Sequence, residues 1–344
     1  MNDGGKLMLS WRIFSTRHNR IVFWTVLFLF VVAAIVLSLW TGSVALSPVQ
    51  VFDVLIGKDT SSTAARIIFY SRLPRTCAAL LAGAALAVAG TVIQTVLHNP
   101  LASPGVIGVN SGAGFAVAIS CAAVPAAQQY APLVALCGAL IAILLVTGLS
   151  WHTGASRISV VLAGVAISAL FGAGIDAVVT LVPDALDGVT DFRVGGFTGV
   201  TMAQLIPAGS LILVCLGAVI SLARLMDILG LGSDTARSLG LSVGAVRFIL
   251  LFLAAVLAGA AVSFCGLIGF VGLIVPNTMR RLLGEGSLGL TVASALGGAF
   301  FVTICDVLAR ILFSPFELPV GIILAFAGAP FFLWLLLRQK GVRA

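Results

Sequence analysis

Charge is what this sequence has least of. Only 9% of its 344 residues are Asp, Glu, Lys or Arg, against roughly 25% in an ordinary soluble domain. That deficit excludes a soluble enzyme and a disordered chain. Lysine occurs only at positions 6, 58 and 340, never in a G-x-x-x-x-G-K-[ST] loop, so the polypeptide has no means of its own to cradle a nucleotide phosphate. The six cysteines, Cys77, Cys121, Cys137, Cys215, Cys265 and Cys305, show no C-x-x-C spacing and read as small buried apolar residues. His18, His98 and His152 are scattered, so no metal site is expected. No carboxylate pair and no nucleophile with a nearby base offers catalysis, and no catalytic residue is assigned. Sustained apolar and polar alternation is missing too, which excludes a transmembrane barrel.

What is present is hydrophobic length. Apolar residues make up 60% and the mean hydropathy is +1.19. The 38 glycines and the Ala-rich run from Ala82 to Ala89 suit closely packed helices. The expected fold is an all-α polytopic membrane protein of about ten transmembrane helices, at 21–40, 73–97, 105–124, 131–150, 157–182, 203–222, 245–268, 270–283, 289–311 and 319–337. Residues 1–20 and 338–344 flank one membrane domain, 21–337. With ten spans both ends lie on the cytoplasmic side, and thirteen of the 19 Lys and Arg fall there, so the net +7 sets orientation and does not point to nucleic acid. Trp24 and Trp40 mark the first run as a retained span, not a cleaved signal. Beyond it, Ser47-Pro48, apolar residues at 49, 52, 55 and 56, and Gly57 predict a short capped helix on the outer surface.

Residues 81–100 and 257–276 both begin Leu-Ala-Gly-Ala-Ala and both end in Pro. They fall in the second and seventh spans, five crossings apart, and so run in opposite directions. An inverted-topology internal repeat follows, with halves of about 73–182 and 245–337, which favours a transporter. After each repeat segment Gly and Pro break the helix, at Asn99 to Gly105 and at Gly266 to Pro276. Such backbone is tolerated at membrane depth only where protein or a water-filled cavity satisfies it.

Energy must then come from an ion gradient or from a partner. Intramembrane carboxylates are Asp176 and Asp306; Arg310 lies one turn beyond Asp306 and predicts a structural pair, whereas Asp176 has no evident partner and stays open as a coupling site. The loop Leu229 to Gly240 predicts a short cytoplasmic helix capped by Ser233 or Asp234 and ended by Gly240, with Ala236, Arg237 and Leu239 facing outward.

Several stretches resemble the FecCD family, the permease subunits of binding-protein-dependent ABC importers for iron–siderophore complexes, haem and cobalamin. They are Arg72-Leu-Pro-Arg75, Gly83-Ala-Ala-Leu-Ala, Gln94, Asn99-Pro-Leu-Ala-x-Pro104, Gly232-x-x-x-Ala236-x-x-Leu239-Gly240, Gly266-Leu-Ile-Gly-Phe-Val-Gly-Leu-Ile-Val-Pro276, Asp306-x-x-x-Arg310, Glu317-Leu-Pro-Val-Gly321 and Gly328-x-Pro330. The family's usual Pro-His and Asp-His-Arg are replaced by Pro276-Asn277 and by Glu285-Gly286-Ser287.

The resemblance implies a lipid-embedded permease in the cell inner membrane, paired with a second copy or a related permease. It is driven by cytoplasmic ABC ATPases that use ATP and is loaded by a periplasmic or lipid-anchored binding protein; the chain itself holds no cofactor. By the same resemblance, Arg72, Arg75 and Arg310 dock that protein's glutamates, Asn99, Leu101 and Ser156 form the cytoplasmic gate, and Ser233 to Gly240 couple to the ATPase. An iron(III)–siderophore complex is the expected cargo, with haem or cobalamin as alternatives and an ion-coupled secondary transporter as the reading from another class.

Overall fold

The computed structural model describes residues 17–42, 44, 46–124, 130–152, 157–284, 286–314 and 316–340. All described regular structure is helical. The long elements are α1 (Arg17–Trp40), α4 (Leu73–Leu97), α5 (Val109–Ala123), α6 (Ala131–His152), α7 (Arg157–Leu181), α9 (Met202–Ser221), α12 (Val243–Cys265), α13 (Val271–Leu283), α14 (Ser287–Ile311) and α15 (Val320–Lys340). Each of the ten expected spans meets one of these. Seven of the described helices are long and apolar enough to cross a bilayer by themselves, while α5 and α15 are shorter apolar helices in their described parts. The eighth, α13, has 13 residues, about 20 Å at 1.5 Å per residue, against a hydrocarbon core of about 30 Å. The non-helical segment Gly266 to Phe270 leads into α13 from the end of α12.

Short elements complete the chain: α2 (Pro48–Leu55), α3 (Thr63–Ile67), a π turn (Ile68–Arg72) leading into α4, a 3₁₀ turn (Pro104–Ile107), α8 (Leu186–Val194), α10 (Ala223–Gly230) and α11 (Ser233–Ser238). Helix α2 forms as its sequence predicts. Gln50 N–H donates to Ser47 Oγ at 3.3 Å, Ser47 N–H donates to Gln50 Oε1 at 2.9 Å, and Gly57 lies at φ +75°.

Helices α4 and α12 are the buried centre and run in opposite directions. The start of α4 meets the end of α14 through Arg75 and Asp306, at what we call the Arg75 face. Its end meets the α10 terminus through His98 and Gly230, at the His98 face. Helix α12 ends at the Arg75 face, where Gly196 N–H donates to Cys265 O at 2.8 Å. Helix α4 packs along α14 as α12 packs along α6, and α5 packs on α6 as α13 packs on α14. This is the inverted repeat expressed in packing. Small residues make it possible: a Cβ on Gly83 would overlap the Gly298 carbonyl of α14, and one on Gly259 would come 2.8 Å from Ala139 Cβ of α6. Lipid supplies no hydrophobic drive between helices, so such close approach carries the association.

Two details differ from expectation. Cys77 is half-buried and Cys137 exposed, leaving four of the six cysteines in the core. Ser156 of the expected gate lies outside the described residues.

Candidate functional site: the Arg75-face cluster, the His98-face break and helix α11

At the Arg75 face three arginines converge, and none is presented to solvent. Arg72, Arg75 and Arg310 are 3%, 9% and 3% exposed. The physical reason is the end of α1, whose last carbonyls have no partner within the helix. Arg72 donates to Leu39 O at 2.8 Å, Trp40 O at 2.5 Å and Val44 O. Arg310 donates to Ser38 O at 3.1 Å, Thr41 O at 2.9 Å and Ser38 Oγ at 2.8 Å. Two guanidinium groups thus close the terminus of α1.

Asp306, fully buried, receives Arg75 Nε at 3.1 Å and Nη2 at 3.0 Å, and pairs with Arg310 Nη2 at 3.0 Å. Arg75 Nη1 reaches Glu317 Oε2 at 2.5 Å. The arginines expected to dock a binding protein are thus bonded within the chain. In this chain they are an internal staple joining α1, α4, α14 and the approach to α15, with their donors turned onto the protein itself. The local pair of Asp306 with Arg310 is present, and Arg75 and Glu317 extend it.

Asp176 lies on the exposed side of α7, one to two turns from its end, and its Oδ1 is 3.3 Å from Arg193 Nη2 of α8. It has a partner after all, seventeen residues away and beyond the reach of a one-helix pattern. An exposed, paired carboxylate at a helix end is poorly placed for a proton relay.

At the His98 face α4 stops at His98, which is left-handed at φ 50°. Asn99 Oδ1 accepts from Leu101 N–H at 2.9 Å, an Asx turn that fixes the break. Leu101 lines a cavity of about 440 Å³ shared with Leu86, Ser103, Asn110, Phe270, Leu273 and Phe332. The Asn99–Leu101 turn is bonded to α13: Asn277 Nδ2 donates to Pro100 O and to Leu273 O, both at 2.8 Å. Buried Gln94 donates to Gly272 O at 3.0 Å and accepts from Arg280 Nη1 at 3.1 Å. Gln94 and Asn277 stood in the motifs, but partners 178 and 177 residues away could not be read from them.

In the coupling segment, Gly232 at φ +105° is the N-cap of α11, not Ser233 or Asp234. Arg247 Nη2 lies 3.4 Å from Ser233 Oγ, and exposed Asp234 is 3.9 Å from Arg237. Ala236 is fully buried, whereas Arg237, Leu239 and Gly240 are exposed. Ala236 thus seats α11 on the body, and the outward surface belongs to Arg237 and Leu239. Gly240 N–H donates to Arg237 O at 2.9 Å with φ +83°, ending the helix as its sequence predicts.

The FecCD transport family profile matches residues 29–338, nearly the whole of this architecture. The chain belongs to the FecCD transport family. The achromobactin transport system permease protein CbrC of Dickeya dadantii (strain 3937) is 37% identical over 316 residues, 91% of this chain and 90% of that protein. The hemin transport system permease protein HmuU of Yersinia pestis is 37% identical over 313 residues, 88% and 91% of the two chains. A solved structure of a metal-chelate-type ABC transporter in an inward-facing conformation shares 28% identity and superimposes with a TM-score of 0.80, covering 93% of this chain and 99% of its own. This FecCD protein is accordingly a multi-pass ABC permease, not an ATPase, and ATP is used by a separate subunit.

Proposed function

We propose that this FecCD permease carries an iron(III)–siderophore complex across the membrane, with the Arg75 face outward and the His98 face toward the cytoplasm. The observation that carries a transport pathway is on α7. Ala166, Ala169, Ala173, Asp176, Ala177 and Thr180 recur at helical spacing and all are exposed. A face of alanines with a carboxylate and a hydroxyl near one end is a poor surface for lipid. Small residues mark the places where membrane helices approach closely, and intramembrane polar residues turn to a bundle interior or a watery cavity. A second permease, identical or related, covers it and completes the path between them.

Orientation is supported by charge, because Arg224, Arg237, Arg247, Arg280 and Arg281 all lie toward the His98 end. Arg237 and Leu239 of α11 then face the ATPase, and a periplasmic or lipid-anchored protein delivers the chelate to the other side. The siderophore assignment is supported by the relationship to an achromobactin permease, and the equally similar hemin permease supports haem as the alternative cargo. The ion-coupled alternative has less support, because Asp176, its candidate residue, lies 3.3 Å from Arg193.

The test is reconstitution with its ATPase and binding protein and measurement of ATP-dependent uptake of radioiron siderophores beside haem and cobalamin. Uptake of a ferric siderophore alone is the expected result. Uptake of haem or cobalamin in its place would overturn the cargo, and uptake without an ATPase would overturn the mechanism.

A further inference from the structure

Helix α11 presents Arg237 and Leu239 on only six residues, Ser233–Ser238. A helix that short does not hold itself together in isolation, so the body beneath it decides where those two side chains stand. Neither of its ends is hemmed in. Gly232 at φ +105° precedes it and Gly240 at φ +83° follows the turn that ends it, and a Cβ on either would meet nothing within 4 Å. Side-chain contacts with the body must therefore set its place. Ala236 is fully buried, and its carbonyl accepts from Leu241 N–H at 3.0 Å. At the start of the helix Arg247 Nη2 donates to Ser233 Oγ at 3.4 Å.

Arg247 lies in the second turn of α12 and is only 8% exposed. A guanidinium so far out of water is costly unless its charge and donors are used. Its surroundings are the junction of three membrane helices. It borders a small cavity together with Thr147 and Ser150 near the end of α6, Val160 in the first turn of α7, and Phe248 and Leu251 of its own helix. One side chain thus reaches from the coupling segment to the place where α6 gives way to α7. The alanine face assigned above to the pathway belongs to α7.

We infer that Arg247 is a positioning residue of energy coupling: its guanidinium seats α11 at the junction of α6, α7 and α12, so that the surface met by the ATPase keeps a fixed relation to the pathway helix. The inference rests on the assignment of α11 to the ATPase and of α7 to the pathway. Arginine suits the place because its rigid fork carries several donors, and one nitrogen can hold Ser233 while the rest of the group stays between the helices. At 3.4 Å the contact is a long hydrogen bond. It adjusts where α11 sits and adds little to the stability of the fold.

The experiment reconstitutes the permease with its ATPase and binding protein in proteoliposomes and measures uptake and ATP hydrolysis together, with ferric siderophores, haem and cobalamin as probes. The readout is cargo carried per ATP hydrolysed, because a variant that merely folds or assembles poorly loses both activities and keeps their ratio. Ser233→Ala removes the acceptor from the α11 side and leaves Arg247 in place; it should lower the ratio about fivefold, equivalent to about 1 kcal/mol. Arg247→Met keeps much of the volume without the donors and should lower the ratio to the same extent. Arg247→Lys, which keeps a cationic donor, should fall between Arg247→Met and the parent. The double variant Ser233→Ala/Arg247→Met should fall no further than either single one, since one interaction is lost. A parental ratio in Ser233→Ala, a lysine variant no better than methionine, or a further fall in the double variant would overturn the seat while leaving the importer reading standing. A parent that takes up none of the probes with ATP would overturn the importer reading and the seat with it. Should Arg247→Met fail to insert, Ser233→Ala decides the question by itself.

Discussion

Replacing Asp306 with Asn separates the two roles open to the outer arginines. The carboxylate is fully buried and holds Arg75 through two nitrogens and Arg310 through a third, all within 3.1 Å. Asn keeps the shape and removes the charge, leaving buried Arg310 with no anion and Arg75 with Glu317 alone. Breaking a buried pair from one side costs about 3–5 kcal/mol. At about 2.1 cal/mol/K per residue of unfolding entropy, a chain of 344 residues should lose roughly 4–7 °C in its apparent midpoint. Exposed docking arginines would behave otherwise, since a surface pair is worth about 0.2–1 kcal/mol and acts on association rate. Thermal unfolding in detergent, followed by tryptophan fluorescence, is the assay, with Arg310→Met and the double variant completing a cycle. The double variant should recover part of the loss, because Arg310 is gone and the remaining Arg75 keeps Glu317 as its anion. A midpoint within 1 °C of the parent, together with salt-sensitive loss of binding-protein association, would refute the staple and restore the docking role.

Other outcomes follow from the same geometry. Arg237→Glu and Leu239→Glu, both exposed on α11, should reduce transport at least tenfold while leaving insertion and folding intact; Ala236→Glu, placed in the fully buried position, should lower stability instead, and the reverse pattern in protease-resistance assays would mean that α11 is seated the other way. Uptake should survive a collapsed proton gradient as long as ATP is maintained, and its loss on collapse would revive an ion-coupled reading. Gly83→Ala should cost about 1–3 kcal/mol or more by driving α4 off α14, while Gly217→Ala, with open space around it, should be neutral or stabilising by up to about 1 kcal/mol; equal effects in unfolding titrations would contradict the backbone contact.

How far the fold was legible depends on how local each signal is. Helix α2 was readable because Ser47, Pro48 and Gly57 sit within eleven positions around an apolar turn or two, although Gln50, the other half of the Ser47 cap, was not read from the sequence. The spans were readable because bilayer thickness imposes a length. The arginine cluster was half readable. Asp306 and Arg310 are one turn apart and announce their pair, but Arg75 meets Asp306 across 231 positions and Glu317 across 242. What those arginines do is set by the orphan carbonyls of α1, which no pattern in the neighbourhood of residue 72 or 310 records. Ala236 shows the same limit on a small scale, since a six-residue helix does not reveal which side it buries.

The inverted repeat shows where a pattern stops being structure. The ungapped pairing of 81–100 with 257–276 holds as long as both segments are helical: Gly83 and Gly259, matched by it, both sit where their helix crosses the equivalent partner, α14 and α6. Beyond that the match is in letters only. Gly90 remains inside α4, whereas its counterpart Gly266 has φ +66° and ends α12. Pro100 falls in the break, and its counterpart Pro276 lies within α13. So α4 runs two turns further than α12 before breaking, through the eight helical residues from Gly90 to Leu97. The faces of the two breaks follow from direction and not from length: α4 and α12 are antiparallel, so the break at Asn99 lies at the His98 face and the one at Gly266 lies at the Arg75 face. What the inequality in length changes is the register of the second element of each half, which puts Pro276 inside a helix where Pro100 stands in a turn.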